Sequence, residues 1–332
     1  MRARGAPLLL LVAGCTGAQS ALDVRGPAAQ RIADLWWLLF TVAAAVYLIV
    51  IGLLFLALFR RRRADTAREV ESGGDRAATR SVAIGTILTT VIVTGIFVVT
   101  LRVLSAIEPG RAPRDLTVIV TGRQWWWELE YQTAGASQTV ASANEIHIPV
   151  GRRVRLELTS ADVIHSLWVP NLHGKTDLNP GDTLVTWLHA DRPGVSRGQC
   201  AEYCGVQHAL MSLVVVAQPE EDFGRWLERE SQPAAAPATP LAQQGRAVFA
   251  SAQCAYCHTV RGAYTAARSL GPDLTHIAGR RMLAAASLEN TRENMARWIT
   301  GAQLIKPGSR MPNIQLSAQE LEALLAYLEE LR

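Results

Sequence analysis

A cluster of soft metal ligands lies in one short stretch of the chain. Residues 200–211 read Cys-Ala-Glu-Tyr-Cys-Gly-Val-Gln-His-Ala-Leu-Met, and His165 lies upstream of them. Thiolate, imidazole and thioether ligands favour copper over hard cations. Two thiolates four residues apart could bridge a pair of copper ions, leaving one histidine for each metal and weak axial positions for Met211 and a backbone carbonyl. On spacing alone, a Cys200–Cys204 disulfide and a zinc site stay open.

A second cluster follows further along the chain, as Cys254-Ala-Tyr-Cys257-His258. This is the attachment pattern of c-type haem, in which both thiols bond the porphyrin vinyl groups and the histidine lies beneath the iron. A redox-active pair of cysteines is the alternative, but that motif belongs in a βαβ setting. Helical patterns flank the motif here, so the segment indicates covalent haem.

The sixth ligand of such a haem iron has four candidates in this part of the chain. They are Met282, Met295, Met311 and His276. A methionine opposite the histidine raises the reduction potential and suits electron transfer. We expect Met282 and Met295 to lie in helices and to serve packing.

Two long apolar stretches precede both clusters. Leu35–Phe59 and Val82–Leu101 carry no charge, and each is long enough to cross a bilayer as a helix. We predict a transmembrane hairpin over residues 25–107 with spans at about 35–59 and 82–104, although a buried core helix stays open for the second. Seven arginines between the spans predict a cytoplasmic loop and outward-facing termini; they are Arg60, Arg61, Arg62, Arg63, Arg68, Arg76 and Arg80.

The N-terminus has the features of a secretion signal. Arg2 and Arg4 precede the apolar run Leu8–Val12, which is too short to span a membrane. The following Ala-Gly-Cys15 resembles a bacterial lipoprotein signal, which implies removal of residues 1–14 and lipidation of Cys15. An ordinary signal peptide is the alternative.

The remaining chain divides into a β-rich segment, a linker and a helical segment. Residues 108–230 contain short β-branched runs separated by turn residues, a pattern typical of a sandwich or barrel. Residues 231–240 contain three prolines and predict a semi-rigid spacer. Residues 241–332 include a capping box at Ser317 and Glu320 that opens an amphipathic helix.

Composition and charge support a membrane protein with several domains. The 332 residues are 49% hydrophobic and 19% charged, which excludes a disordered chain. The net charge of +4 divides into +6 for residues 1–107, −5 for residues 108–230 and +3 for residues 231–332. The sequence lacks a long basic patch, so its charge does not indicate a nucleic-acid partner. The opposite charges of the last two segments favour their docking.

The ligand cluster resembles that of subunit II of haem-copper cytochrome c oxidases. The shared pattern is His, then Cys-x-Glu-x-Cys-x3-His-x2-Met. The resemblance implies two membrane helices followed by an all-β cupredoxin-like domain with a binuclear copper A centre of two copper ions. Its ligands would be His165, Cys200, Glu202, Cys204, His208 and Met211. Glu202 would bind copper through its backbone carbonyl, and its carboxylate would reach a magnesium ion shared with subunit I.

The resemblance extends to two further motifs. Gly122-Arg-Gln-Trp125-Trp-Trp matches an aromatic run of the family, which implies that Trp125 receives electrons, although a core role stays open for it. We expect Trp126 and Trp127 to be core or interfacial residues. The last segment resembles class I cytochrome c, an all-α domain. That resemblance selects Met311 as the axial ligand opposite His258, with the carbonyl of Pro272 orienting the histidine.

Together these resemblances imply subunit II of a caa3-type aerobic respiratory oxidase. Such a chain takes electrons from an external donor, such as a cytochrome c or a quinol–cytochrome c reductase. It passes them through haem c and copper A to subunit I, which reduces oxygen to water with proton pumping in a complex that also holds subunit III. The expected location is the bacterial inner membrane, with the redox domains on the periplasmic side. The alternatives are a copper A-type nitric oxide reductase and a copper-delivery or redox-sensing membrane protein.

Overall fold

The computed structural model describes residues 16–63, 74–108, 115–133, 139–268 and 270–332. The proposed signal peptide, Cys15 and part of the arginine-rich stretch lie outside these residues. The chain separates into two compact units, one formed by residues 30–108 and the other by the remaining chain. The smaller unit is helical, and the larger unit contains both sheets and helices.

Two long helices form the smaller unit. The helices are α1, Pro27–Arg63, and α2, Gly74–Ala106, and both extend beyond the predicted spans. Their most apolar windows have mean hydropathies of 2.9 and 2.4, with none of either window buried. The core-helix alternative for α2 is therefore not what the structure shows. Threonine hydroxyls donate to the carbonyl four residues earlier, as Thr90 does to Thr86, so these polar groups are satisfied inside the helix.

Two five-stranded sheets form the domain that carries the first ligand cluster. Their strand orders are β3-β2-β1-β5-β8 and β4-β10-β9-β6-β7. The strands are β1 Leu116–Arg123, β2 Trp126–Thr133, β3 Val140–Ala143, β4 Glu145–Pro149, β5 Val154–Ser160, β6 His165–Trp168, β7 Thr176–Leu178, β8 Leu184–Leu188, β9 Gly194–Cys200 and β10 Ser212–Gln218. In β5 burial alternates along the strand, as expected when one face lies on the core. The predicted β-sandwich is confirmed.

A helix ends this domain, and an extended segment leads to the next. Helix α3, Glu220–Ser231, buries Phe223 and Trp226. The segment that follows is fastened to the helical domain, because the amide of Ala234 donates to Arg261 O at 2.9 Å and the amide of Ala238 donates to Glu330 Oε2 at 2.7 Å.

Three helices build the last domain. They are α4 Pro240–Ser251, α5 Arg292–Ile305 and α6 Ala318–Glu330, with a short hairpin of β11 Met282–Leu283 and β12 Leu288–Glu289. Thr239 caps α4, which has a proline in its first turn. The capping box at Ser317 begins α6 as predicted. Met295 lies in α5, but the expectation that Met282 is helical was wrong, since it pairs with Glu289 in the hairpin.

Candidate copper and haem sites

The first ligand cluster lies at one end of two neighbouring antiparallel strands, β6 and β9. His165 begins β6, Cys200 ends β9, and Leu167 of β6 pairs with Cys200. The chain then forms a loop and a short 3-10 helix, His208–Leu210, before Met211 precedes β10. The amide of Cys200 donates to Met211 O at 2.8 Å. The sheet therefore fixes both ends of the ligand loop.

The six predicted ligand residues converge at this point. The Sγ atoms of Cys200 and Cys204 are 3.8 Å apart, and Cys200 Sγ lies 3.9 Å from His165 Nδ1. Cys204 Sγ lies 3.8 Å from both His208 Nδ1 and Met211 Sδ. The Cys200 thiol donates to the carbonyl of Glu202 at 3.1 Å.

These positions fit a pair of copper ions. Both cysteines are free and buried, and a sulfur separation of 3.8 Å is far beyond a disulfide bond. Each thiol has a different imidazole beside it, so two bridging thiolates would leave one histidine for each metal. The methionine and the Glu202 carbonyl supply the weaker axial donors expected of a copper site.

The thiols and His165 have perturbed acidities. The hydrogen bond between the thiols holds the pKa of Cys200 well below its ordinary value and pushes that of Cys204 above it. Burial acts to lower the pKa of His165, but hydrogen bonds with Asp162 and Cys200 outweigh it and raise the pKa. Metal binding would release protons from this cluster, because thiolates and neutral imidazoles are the ligating forms.

Asp162 orients His165 and was not among the site residues predicted from the sequence. Its Oδ1 lies 2.8 Å from His165 Nε2, which leaves Nδ1 facing the sulfur of Cys200. The carboxylate also accepts from the amides of Gln124 at 2.7 Å and Val163 at 2.8 Å. On the opposite side, a Cβ at Gly122 would lie 2.7 Å from His165 Cδ2, so only glycine admits the ring. The position of Asp162 three residues before a candidate ligand was the available signal.

The haem motif lies on one wall of a cavity in the helical domain. The cavity has a volume of about 330 Å³ and is lined by Cys254, Cys257, His258 and Met311 together with apolar side chains such as Leu324. An apolar cavity that presents two thiols and an imidazole fits a covalently attached haem.

His258 is held in an orientation suited to an axial ligand. Its Nδ1 donates to Pro272 O across 2.8 Å, which fixes the tautomer and leaves Nε2 free. A Cβ at Gly271 would lie 2.4 Å from His258 Cε1, so glycine is required for this close approach. Burial lowers the pKa of His258 and favours the neutral, ligating form.

The four candidates for the sixth ligand of the haem iron separate into two groups. Met282, Met295 and Met311 all line the cavity. His276 is not among the cavity-lining residues that the structure describes, and its Nε2 hydrogen-bonds to Gln232 O at 3.1 Å. The choice of Met311 over the two other methionines continues to rest on the resemblance to class I cytochrome c.

Residues of the β domain, which consists of the two five-stranded sheets and α3, also line the haem cavity. Gln124, Trp125 and Trp126 line it from that side. Trp125 Nε1 donates to Cys204 O at 3.0 Å, and Gln124 Nε2 donates to the same oxygen at 2.8 Å. Trp125 therefore contacts the haem cavity and a residue of the copper cluster. Trp126 and Trp127 are buried, with 8% and 0% of their surfaces exposed, as core residues are.

A family model described as "Cytochrome C oxidase subunit II, periplasmic domain" matches residues 116–218, and one described as "Cytochrome c" matches residues 242–332. "Cytochrome c oxidase subunit 2" of Alkalihalophilus pseudofirmus is 38% identical over 337 aligned positions, covering 98% of this chain and 95% of that relative. The proteins of the same name from Bacillus sp. strain PS3 and Bacillus subtilis are 32% and 31% identical, covering 67% and 68% of this chain and 64% and 65% of those relatives. The chain belongs to the cytochrome c oxidase subunit 2 family and carries a cytochrome c domain after its copper domain.

Proposed function

We propose that this chain takes electrons from an external donor at its cytochrome c domain and delivers them through its β domain to subunit I of a haem-copper oxidase. Haem c and a pair of copper ions, when bound, supply carriers that accept and release one electron at a time. The protein attaches these groups, holds their ligands and connects the two sites. Oxygen reduction to water and proton pumping belong to the partner complex, which also contains subunit III.

Each site residue has a defined part in this proposal. Cys254 and Cys257 would attach the haem covalently, and His258 and Met311 would hold its iron. Two copper ions would be held by the first ligand cluster, in which Cys200 and Cys204 would supply the thiolates; its members are His165, Cys200, Glu202, Cys204, His208 and Met211. The side chain of Glu202 is exposed, so its carboxylate is accessible to a magnesium ion shared with subunit I.

Trp125 carries the connection between the sites. Trp125 lines the haem cavity, and its Nε1 donates a hydrogen bond to Cys204 O. One residue therefore contacts both the haem cavity and a copper-ligand residue. This is the single observation that most supports electron transfer within the chain.

The location follows from the same assignment. Helices α1 and α2 are long and apolar enough to cross a bilayer. We place them in the bacterial inner membrane and place both redox domains on the periplasmic side, where a covalent haem and a thiolate copper site are expected to be assembled.

Flash photoreduction of the full-length chain tests this function. With haem and copper loaded, an electron placed on the haem should appear at copper in a first-order step whose rate does not depend on protein concentration. The matched control is Cys254→Ala with Cys257→Ala, which should load copper but give no haem-coupled phase. A concentration-dependent rate would contradict transfer within one chain.

A further inference from the structure

Lys306 is an unusual residue in this chain. The sequence contains only two lysines, Lys175 and Lys306, among 33 basic residues. Lys175 is exposed, whereas Lys306 follows α5 and is only 3% exposed. A buried ammonium is costly unless its donors are satisfied, so its position requires an explanation.

The side chain of Lys306 reaches from the cytochrome domain to the β domain. Its Nζ donates to Leu210 O at 2.9 Å and to Trp125 O at 3.4 Å, both in the β domain. The third contact is with Ala284 O of the cytochrome domain at 3.2 Å. The three ammonium donors thus have three carbonyl acceptors, one on the residue before Met211 and one on the tryptophan that lines the haem cavity.

The charge of Lys306 is not neutralised by a carboxylate. Among the ion pairs that the described residues form, none includes Lys306, and its three hydrogen-bond acceptors are neutral carbonyls. Burial lowers its pKa to about 8, and the nearby Cys204 opposes this decrease. The residue therefore places a positive charge against the carbonyl of Leu210, the residue before Met211.

Neighbouring contacts fix the same boundary. Gln207 lies in the copper-ligand loop, which joins Cys200 to Met211, and its Nε2 donates to Pro307 O. Two backbone amides also cross between the domains: Ser212 donates to Ala285 O at 3.1 Å, and Arg281 donates to Glu145 Oε2 at 2.9 Å. Lys306 therefore lies within a continuous set of polar contacts between the domains.

We propose that Lys306 is a positioning residue that holds the haem-binding domain against Trp125 and the copper-ligand loop and places a cation beside that loop. The proposal rests on the proposed function. One consequence separates it from a role in stability alone. A cation beside this loop should favour the reduced copper pair, so its removal should lower the copper reduction potential.

The test uses the full-length chain loaded with haem and copper, as wild type, Lys306→Met and Lys306→Gln. Lys175→Met is the matched control, because it removes the other lysine from an exposed site. We expect Lys306→Met to slow haem-to-copper transfer about tenfold, corresponding to about 1.4 kcal/mol of docking free energy, while the haem spectrum stays unchanged. Lys306→Gln keeps donors without the charge and should retain part of the rate.

Two further measurements accompany the rate. Hydrogen exchange at the amides of Ser212 and Arg281 should accelerate in Lys306→Met and not in Lys175→Met, and this readout needs no cofactor. The copper potential should fall in both Lys306 variants. Unchanged exchange, potential and rate in a folded Lys306→Met protein would overturn the proposal. Failure of the wild type itself to load copper or transfer electrons would instead contradict the proposed function.

Discussion

Replacing Asp162 by alanine removes the acceptor that orients His165. The carboxylate lies 2.8 Å from His165 Nε2, and it also accepts from the amides of Gln124 at 2.7 Å and Val163 at 2.8 Å. Without it, the imidazole loses the partner that keeps Nδ1 directed at the thiolates. Partners of this kind typically contribute about 10- to 100-fold to metal affinity, so we expect a loss of copper affinity of that size.

Competition for copper against a chelator of known affinity measures this loss in the purified full-length chain. Asp162→Asn keeps an acceptor oxygen but removes the charge, and we expect its affinity to lie between those of wild type and Asp162→Ala. The control is Asp177→Ala, which changes an exposed aspartate on β7. A wild-type affinity in Asp162→Ala would refute the argument that this carboxylate orients the ligand.

Three more changes test separate parts of the account. Trp125→Phe removes the indole donor to Cys204 O and should slow haem-to-copper transfer while both cofactor spectra persist; an unchanged rate would contradict the role of Trp125. Gly271→Ala places a methyl group 2.4 Å from His258 Cε1 and should abolish normal haem ligation in the optical spectrum, whereas Gly279→Ala, which meets open space, should not. Ser317→Ala removes the capping box of α6. Thermal unfolding should show the cytochrome domain destabilised by about 1 kcal/mol. A larger loss of stability with altered haem ligation would mean that the cap does more than begin the helix.

The sequence predicted what is local in the chain. Five of the copper-ligand residues lie within residues 200–211, so their spacing alone restricts the chemistry. The apolar spans and the capping box at Ser317 are equally local signals. A strand with a strong β-branched run, such as β10 with its three consecutive valines, was predicted, whereas β9, Gly194–Cys200, was missed because glycines and polar residues interrupt that pattern.

Local sequence patterns did not predict contacts between residues that are far apart in the chain. Lys306 is separated by 181 residues from Trp125 and by 96 from Leu210, and no local periodicity reports such a contact. The charge blocks favoured electrostatic docking, but within the described part of the chain one ion pair, Arg310 with Asp162 at 3.9 Å, joins the copper and cytochrome domains. Buried hydrogen bonds form more of this boundary than the charge pattern implied.

The copper centre is the most direct test of the account. An electron paramagnetic resonance spectrum of the oxidised full-length chain, recorded beside its haem optical spectrum, reports how many coppers share the unpaired electron. We expect the hyperfine pattern of one electron delocalised over two copper nuclei, together with a haem c spectrum. A single-copper pattern at full copper loading would show that Cys200 and Cys204 do not bridge two ions, and it would contradict a binuclear copper centre in this chain.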